Sequence, residues 1–388
     1  MSEIRVDTIS EKTSGSGTTI SNLKNPNQPF RNLIINGDYA IAQRASSATT
    51  AGNGTYTTLD RWQTYNATDG AYTTARTALS AADQATTGQY YAYDIQCSTA
   101  DSSIGASQYA FVLQKIEAQF LQSLRFGTSN AQPVTISFYV KSNLTGTTCG
   151  FISKEDSTFT MCPFEFTINS ADTWERKTAT IPANDVIKLA ASAITYDNGP
   201  GISVGFNLAM GSNLDNGTNL TWEATTAGYA TSNQLNFLSN TANDLFITGV
   251  QFEVGSGASD FEYLPHDVQL HRCQRYYHKI DVPDNASYYP FGVGECSSTQ
   301  TSTHITHYPV TMRTAPTLET SGTASHFTTF NEGALHQSDL VPGLGGATKH
   351  AMRVQFKRNS SAGLTTGTAT QNLANVNASA FIAFTSEL

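Results

Sequence analysis

Four stretches of this 388-residue chain carry an apolar side chain at every second position, and that period limits what the chain can fold into. In VTISFYVKS, Val134, Ile136, Phe138 and Val140 share one face, and Thr135, Ser137, Tyr139 and Lys141 take the other. ISVGFNLAM repeats the pattern through Ile202, Val204, Phe206, Leu208 and Met210, and FEFTI through Phe164, Phe166 and Ile168. In LFITGVQFEVG the same rule puts Phe246, Val250, Phe252 and Val254 on one face. Strand side chains alternate between the two faces of a sheet, so each run reads as a strand with one side on a core. Charged residues make up only 14% of the chain, against roughly 25% in an average globular protein. Their place is taken by Ser, Thr, Asn, Gln and Gly, a stock that suits short strands and turns better than amphipathic helices. The expected fold class is mainly β.

Along the chain the pattern divides into four parts. Residues 1–30 read as an extended arm, with Val6, Ile9 and Ile20 as isolated apolar anchors and flexible TSGSGTT between them. So few apolar residues cannot build a core, so the arm would order by docking on another protein or on copies of itself. Residues 31–267 read as a β-sandwich, with many short strands separated by Asn/Gly/Ser/Thr turns. Within it, Tyr109 to Phe126 fits either a helical face through Leu113, Ile116, Phe120 and Leu124, or a strand ending near Glu117 followed by a short helix. The second reading is preferred, because a long lone helix inside a sandwich is uncommon. Residues 268–280, free of Gly and Pro, read as a connecting helix. Residues 281–388 return to strands whose apolar content is thin, so neighbouring subunits would complete that core.

Charge removes several function classes. The net charge is −9 with no Lys/Arg cluster, so the basic footprint that nucleic-acid binding needs is missing. No run of ~20 apolar residues suggests a membrane span, and MSEIRVDTIS is not a signal peptide. Synthesis in a cytosol without signal-dependent export is expected. Cys97, Cys149, Cys162, Cys273 and Cys296 are odd in number and lack metal-ligand spacing, which points to free, mostly buried thiols.

Several segments, in order, resemble phage tail-fibre proteins of the kind common in marine and cyanobacterial viruses. IRVDTISEKTSGSGTTI is similar to their virion-attachment arm. NLIINGDYAIAQR followed by LDRW resembles the first strands of their carbohydrate-binding-module-like jelly roll. VTISFYVKS, ITGVQFEVGSGASDFEYLP and LHRCQRYYHK resemble that domain's later strands and exit helix, and PVTMRTAPTL and FIAFTSEL the distal tip. The resemblance implies a homotrimer in a virion. Residues 1–30 would attach to a tail or other virion protein, the jelly roll would follow, and a tip domain at 281–388 would help recognise a host-surface glycan or other receptor. A purely structural head fibre or tail adaptor is the alternative, and a polysaccharide-degrading spike a more distant one.

Sugar recognition uses aromatic faces ringed by amides and carboxylates. Trp62 with Tyr65 and Asn66, and Trp222 with Glu223 and Tyr229, are the candidates. For Trp62 in LDRW the core reading is favoured, and Trp222 is open between the two. Trp174 reads as packing. Jelly rolls of the resembled type often hold calcium near the first and last strands, where Asp38 and Asp260 stand, but Ala40 occupies a position where a carboxylate would help. No cofactor or metal is expected. His304 and His307, three apart on a strand, would face opposite ways, while His271 and His278 would share a helix face. Glu155 with Asp156 and Asp260 with Glu262 are the acid pairs a glycosidase could draw on, yet both lie in turn-like sequence and no catalytic motif occurs. The expectation is a non-enzyme.

Overall fold

The computed structural model describes residues 30–282, 288–358 and 363–388. The arm at residues 1–29 lies outside the described residues. From Phe30 to Pro265 the strands follow as β1 (Thr49–Thr50), β2 (Gln63–Asn66), β3 (Ala71–Ala78), β4 (Tyr91–Thr99), β5 (Tyr109–Glu117), β6 (Val134–Ser142), β7 (Gly146–Lys154), β8 (Thr160–Ile168), β9 (Glu175–Ile181), β10 (Pro200–Met210) and β11 (Asp244–Val254). They form a six-stranded sheet, β1-β3-β4-β11-β6-β9, and a five-stranded sheet, β2-β5-β10-β7-β8, antiparallel throughout. Successive strands usually switch sheet, the winding of a jelly-roll sandwich, and the expected mainly-β class is observed.

The alternating runs supply the core. Val134, Ile136, Phe138 and Val140 are buried against Phe164, Phe166 and Phe206. The Phe138 ring lies 4.8 Å from Phe206 and 5.0 Å from Phe166, edge-on in both pairs. Buried aromatic rings favour this geometry, which adds about 0.5–1.5 kcal/mol per pair beyond area burial. The Tyr109–Phe126 segment takes the preferred reading: β5 ends at Glu117, and two 3₁₀ turns follow, Ala118–Phe120 and Gln122–Leu124.

Two period readings need correction. In β11 the one-to-one register with β6 breaks between Thr248 and Gln251. The core face therefore runs Leu245, Ile247, then Val250 and Phe252. Phe246 lies on the opposite side, against Trp174. A bulge flips every residue beyond it, and local alternation cannot show it. A second irregularity, between Asn207 and Ala209 in β10, sends Met210 to the outer face while Leu208 stays inside.

Among the described residues three α-helices accompany the strands: α1 (Ala81–Thr87), α2 (Asp185–Lys188) and α3 (His266–Gln274). The connecting helix expected over 268–280 is α3. It starts at Pro265 and stops at Gln274, and Tyr277–Asp281 is strand β12. Tyr277 and Ile280 are good strand formers, and their partner is more than a hundred residues away. β12 pairs with β21 (Phe381–Thr385), which also pairs with β15 (Thr317–Thr320). His278 consequently stacks on Phe384 and shares no helix face with His271.

The remaining strands are β13 (Pro290–Ser298), β14 (Thr301–His307), β16 (Phe327–Asn331), β17 (Ala334–Gln337), β18 (Leu340–Ala347), β19 (Ala351–Lys357) and β20 (Ala369–Ala374). They build a seven-stranded antiparallel sheet ordered β17-β16-β20-β13-β14-β19-β18. After β21 the chain returns to the sandwich. Glu387 pairs with buried Arg61 and, at 3.2 Å, with Arg44. Arg61 lies over the Tyr276 ring and Arg44 over that of Tyr277. Arg275 grips Glu117 in a fork of 2.7 and 2.9 Å bonds. Those bonds and the Tyr276 hydroxyl hold the Glu117 carboxyl below its ordinary range against the effect of burial.

Candidate functional site on the five-stranded sheet

The outer face of the five-stranded sheet is built by register. Tyr65, Phe111 and Asn207 lie side by side across β2, β5 and β10. The next row is Gln63, Leu113, Gly205, Phe151 and Pro163. Every residue of YAFVL in β5 is apolar: Ala110 and Val112 point into the sandwich, whereas Tyr109, Phe111 and Leu113 point outward. Gly205 leaves room for this layer, since a Cβ there would sit 2.4 Å from the Phe151 ring.

Phe111 is the centre of the layer. Tyr65 stacks on it at 4.8 Å, Tyr109 at 5.4 Å and Tyr229 at 5.6 Å, and Tyr229 also meets Phe151 edge-on at 5.0 Å. Tyr229 comes from the long connection between β10 and β11 and is fixed by Asn207, whose side-chain N–H donates to its carbonyl at 2.7 Å. Phe111 is buried while the three tyrosines stay half-exposed. The phenols of Tyr65 and Tyr229 are pushed up by burial and then by the nearby Glu155 carboxylate, so both remain neutral donors. Glu155 is steadied by the Ser203 hydroxyl. Two buried acceptors on this face, Gln63 Oε1 and Asn207 Oδ1, have no hydrogen-bond partner among the described residues. Aromatic surface and a carboxylate are among the groups that hold a sugar ring and its hydroxyls.

The structure sorts the sequence candidates. Tyr65 and Tyr229 converge on Phe111, whereas Trp62 and Trp222 do not join them. Trp62 is fully buried in the sandwich core beside Tyr39 and Phe206, its indole N–H donating to Asn36 O at 3.2 Å. Trp222, 1% exposed, packs edge-on to Phe126. Neither indole has a face to offer a sugar: Trp62 takes the favoured core reading, and Trp222, open between the two, is a core residue as well. Glu223 is taken up locally: its carboxylate accepts from the Thr218 hydroxyl at 2.8 Å, and its backbone bridges Met161. Asn66 closes a turn through Gly70 and Thr68. Sequence reasoning missed Tyr109 and Phe111 as site residues. The signal was present, because a sandwich strand apolar on both faces must be covered on both.

Of the remaining candidates, Asp38, Asp156 and Glu262 are engaged. Asp38 accepts from Gln269 and from the Ala40 N–H. Asp156 accepts from Thr195, and Glu262 from the Asn32 N–H at 2.9 Å. Among the described residues no three His, Cys, Asp or Glu side chains group as metal ligands. His304 is buried against Asn372 and His307 is exposed, on opposite faces of β14. All five cysteines are free and buried. Among the described residues no helix is long and apolar enough to cross a membrane.

No protein-family model matches the chain, and no curated protein does. Among solved structures, a Bacteroides thetaiotaomicron protein thought to bind sugar is 17% identical, with a TM-score of 0.31 over 57% of this chain and 99% of the other. The enzymatically active domain of tailspike protein 4 of bacteriophage CBA120 is 11% identical, with a TM-score of 0.28 over 58% and 22%. A family 11 carbohydrate-binding module of Clostridium thermocellum, solved with a mixed-linked tetrasaccharide, is 11% identical, with a TM-score of 0.27 over 55% and 99%. Overlaps this loose assign no ligand and no residue role here.

Proposed function

We propose that this chain is a non-catalytic fibre protein of a phage virion that binds host-surface glycan through its sandwich. The observation that carries the glycan reading is the convergence of Tyr65, Tyr109 and Tyr229 on Phe111, with Glu155 beside them. The ordered segments that resemble tail fibres support the virion role, with residues 1–30 as the attachment to a tail or other virion protein. Assembly as a homotrimer would multiply weak single contacts by avidity. Self-association is supported by the seven-stranded sheet, whose outer face exposes Val293, Ile305, Phe330 and Leu335 although its inner face already packs Phe327, Met352, Val354 and Phe356 into a core of its own.

Titration of the full chain with polysaccharide extracted from the host surface, followed by intrinsic fluorescence, tests the binding site. Tyr65→Ala and Tyr229→Ala should each weaken binding by up to about tenfold, the loss of one aromatic stacking contact. Unchanged affinity in both variants would sink the assignment. New reducing ends during the same incubation would replace the non-catalytic reading with a depolymerising spike. Light scattering of the full chain, expected near three chain masses, tests the trimer. Particles that carry Tyr65→Ala and adsorb normally would favour the purely structural head-fibre or adaptor role.

A further inference from the structure

The opposite face of the sandwich holds a separate pocket, and a sequence of local causes produces it. Where β11 breaks register with β6, Gly249 takes a left-handed φ of +60°. A Cβ at that position would reach Tyr139 and Gln89 at 3.4 Å, so the missing side chain leaves a depression in the sheet. Beyond β11 the chain folds back over it. Ser259 donates through its N–H and its hydroxyl to Glu253, at 2.8 and 2.7 Å. The Glu262 N–H donates to Gln251 Oε1 at 2.8 Å. With Ser259 and Glu262 pinned inward, Asp260, Phe261 and Tyr263 stand over the depression. Tyr139 and Arg176, directly paired across β6 and β9, form the far wall. The enclosed volume is about 170 Å³.

Its chemistry is unassigned by anything above. Arg176 uses one guanidinium nitrogen, Nη2 donating to Ser259 O at 2.7 Å. Among the described residues, its other N–H groups and the Asp260 carboxylate bond to no protein group. The Phe261 and Tyr263 rings meet edge-on at 5.1 Å, and the Tyr263 hydroxyl is anchored on Gly88 O at 2.7 Å. Donors on a cation, acceptors on an anion and aromatic walls suit a ligand that is neutral, donates and accepts at adjacent positions, and has an apolar face. A hydroxyl of a pyranose does both at once, and a ring of that size fits the volume.

We propose that this pocket is a second saccharide site, taking one neutral sugar residue on the face opposite the tyrosine layer. It rests on its own residues, so it stands or falls apart from the site on the five-stranded sheet.

The test is ligand-observed saturation-transfer NMR on the full chain, with the methyl glycosides of glucose, galactose and mannose as probes. Asp260→Ala removes an exposed carboxylate that bonds nothing, and Phe261→Ala removes a wall. Both should keep the wild-type melting midpoint and weaken binding of the responding glycoside by about tenfold to a hundredfold, as expected when a charged hydrogen-bond acceptor or a stacking face is lost. No response from any of the three glycosides overturns the second site. So does a response that both variants retain, or one that disappears in Tyr65→Ala and persists in Asp260→Ala. In that last case the sugar belongs to the tyrosine layer, and the glycan reading itself survives.

Discussion

The sandwich and the C-terminal region are both antiparallel β and both bury aromatic rings, yet the second also threads a polar hydrogen-bond network through its core. Between the sandwich sheets lie Trp62, Phe138, Phe164, Phe166 and Phe206 in ring-to-ring contact. The inner face of the seven-stranded sheet carries Ser302, His304, Thr329, Thr370 and Asn372, joined in one hydrogen-bond network. Its outer face carries Val293 at 69% exposure and Ile305 at 61%. Both regions are held by non-directional burial. The C-terminal core adds directional bonds in low dielectric, where each missing partner is expensive. The Arg61–Glu387 pair ties the two together.

Breaking that tie gives the largest expected effect. Glu387→Ala leaves the Arg61 charge buried without its carboxylate, at a cost of about 3–5 kcal/mol. Denaturant unfolding should then separate into two transitions, and a single unshifted transition would show that the regions were never coupled. Acid should distinguish the regions next. Burial holds His304 at about 4, below its ordinary 6.5. The unfolded chain therefore binds a proton that the folded sheet refuses between those values. Stability is full above about 6.5 and falls as the pH drops toward 4, by up to roughly 3 kcal/mol. His304→Gln should flatten that slope. Asp60 has the opposite sign: burial, only partly offset by Arg44 and Gln43, pushes its carboxyl up to about 6. Its contribution is present in acid and is lost as the pH rises through 6, so Asp60→Asn should change pH dependence in the sandwich's transition alone. Gly249→Ala, forcing a left-handed backbone on a side chain, should cost about 1 kcal/mol and reduce glycoside binding in the pocket. Smallest of all, Val293→Thr should move single-chain stability by less than about 0.5 kcal/mol, while lowering the assembled mass seen by light scattering.

Which parts were legible follows the range of the interaction. Period two located the strands at 134–142 and 164–168, because burial of one face acts residue by residue. The bulge at Gly249 was invisible, since only pairing with β6 reveals that Phe246 has changed sides. The end of α3 was hidden for the same reason: β12 exists because β21 is there to pair with it. Helix α1 was readable and went unread, with Ser80 as its N-cap and Gly88 as its left-handed C-cap. Of the site, Tyr65 and Tyr229 were picked by residue type, but so were Trp62 and Trp222. Composition cannot say which aromatic turns inward. That depends on the register of β2 against β5, in which Tyr65 faces Phe111 on the outer surface.

The Arg61–Glu387 pair also sets an order of events during translation. The two partners are 326 residues apart. At roughly 5–20 residues per second, a ribosome needs on the order of tens of seconds to deliver the second after the first. Until then the Arg61 guanidinium lacks the Tyr276 ring and the Glu387 carboxylate that cover it, and it stays hydrated while the sandwich core closes. The pair therefore forms as a late docking step between the two regions, after the sandwich core it rests on.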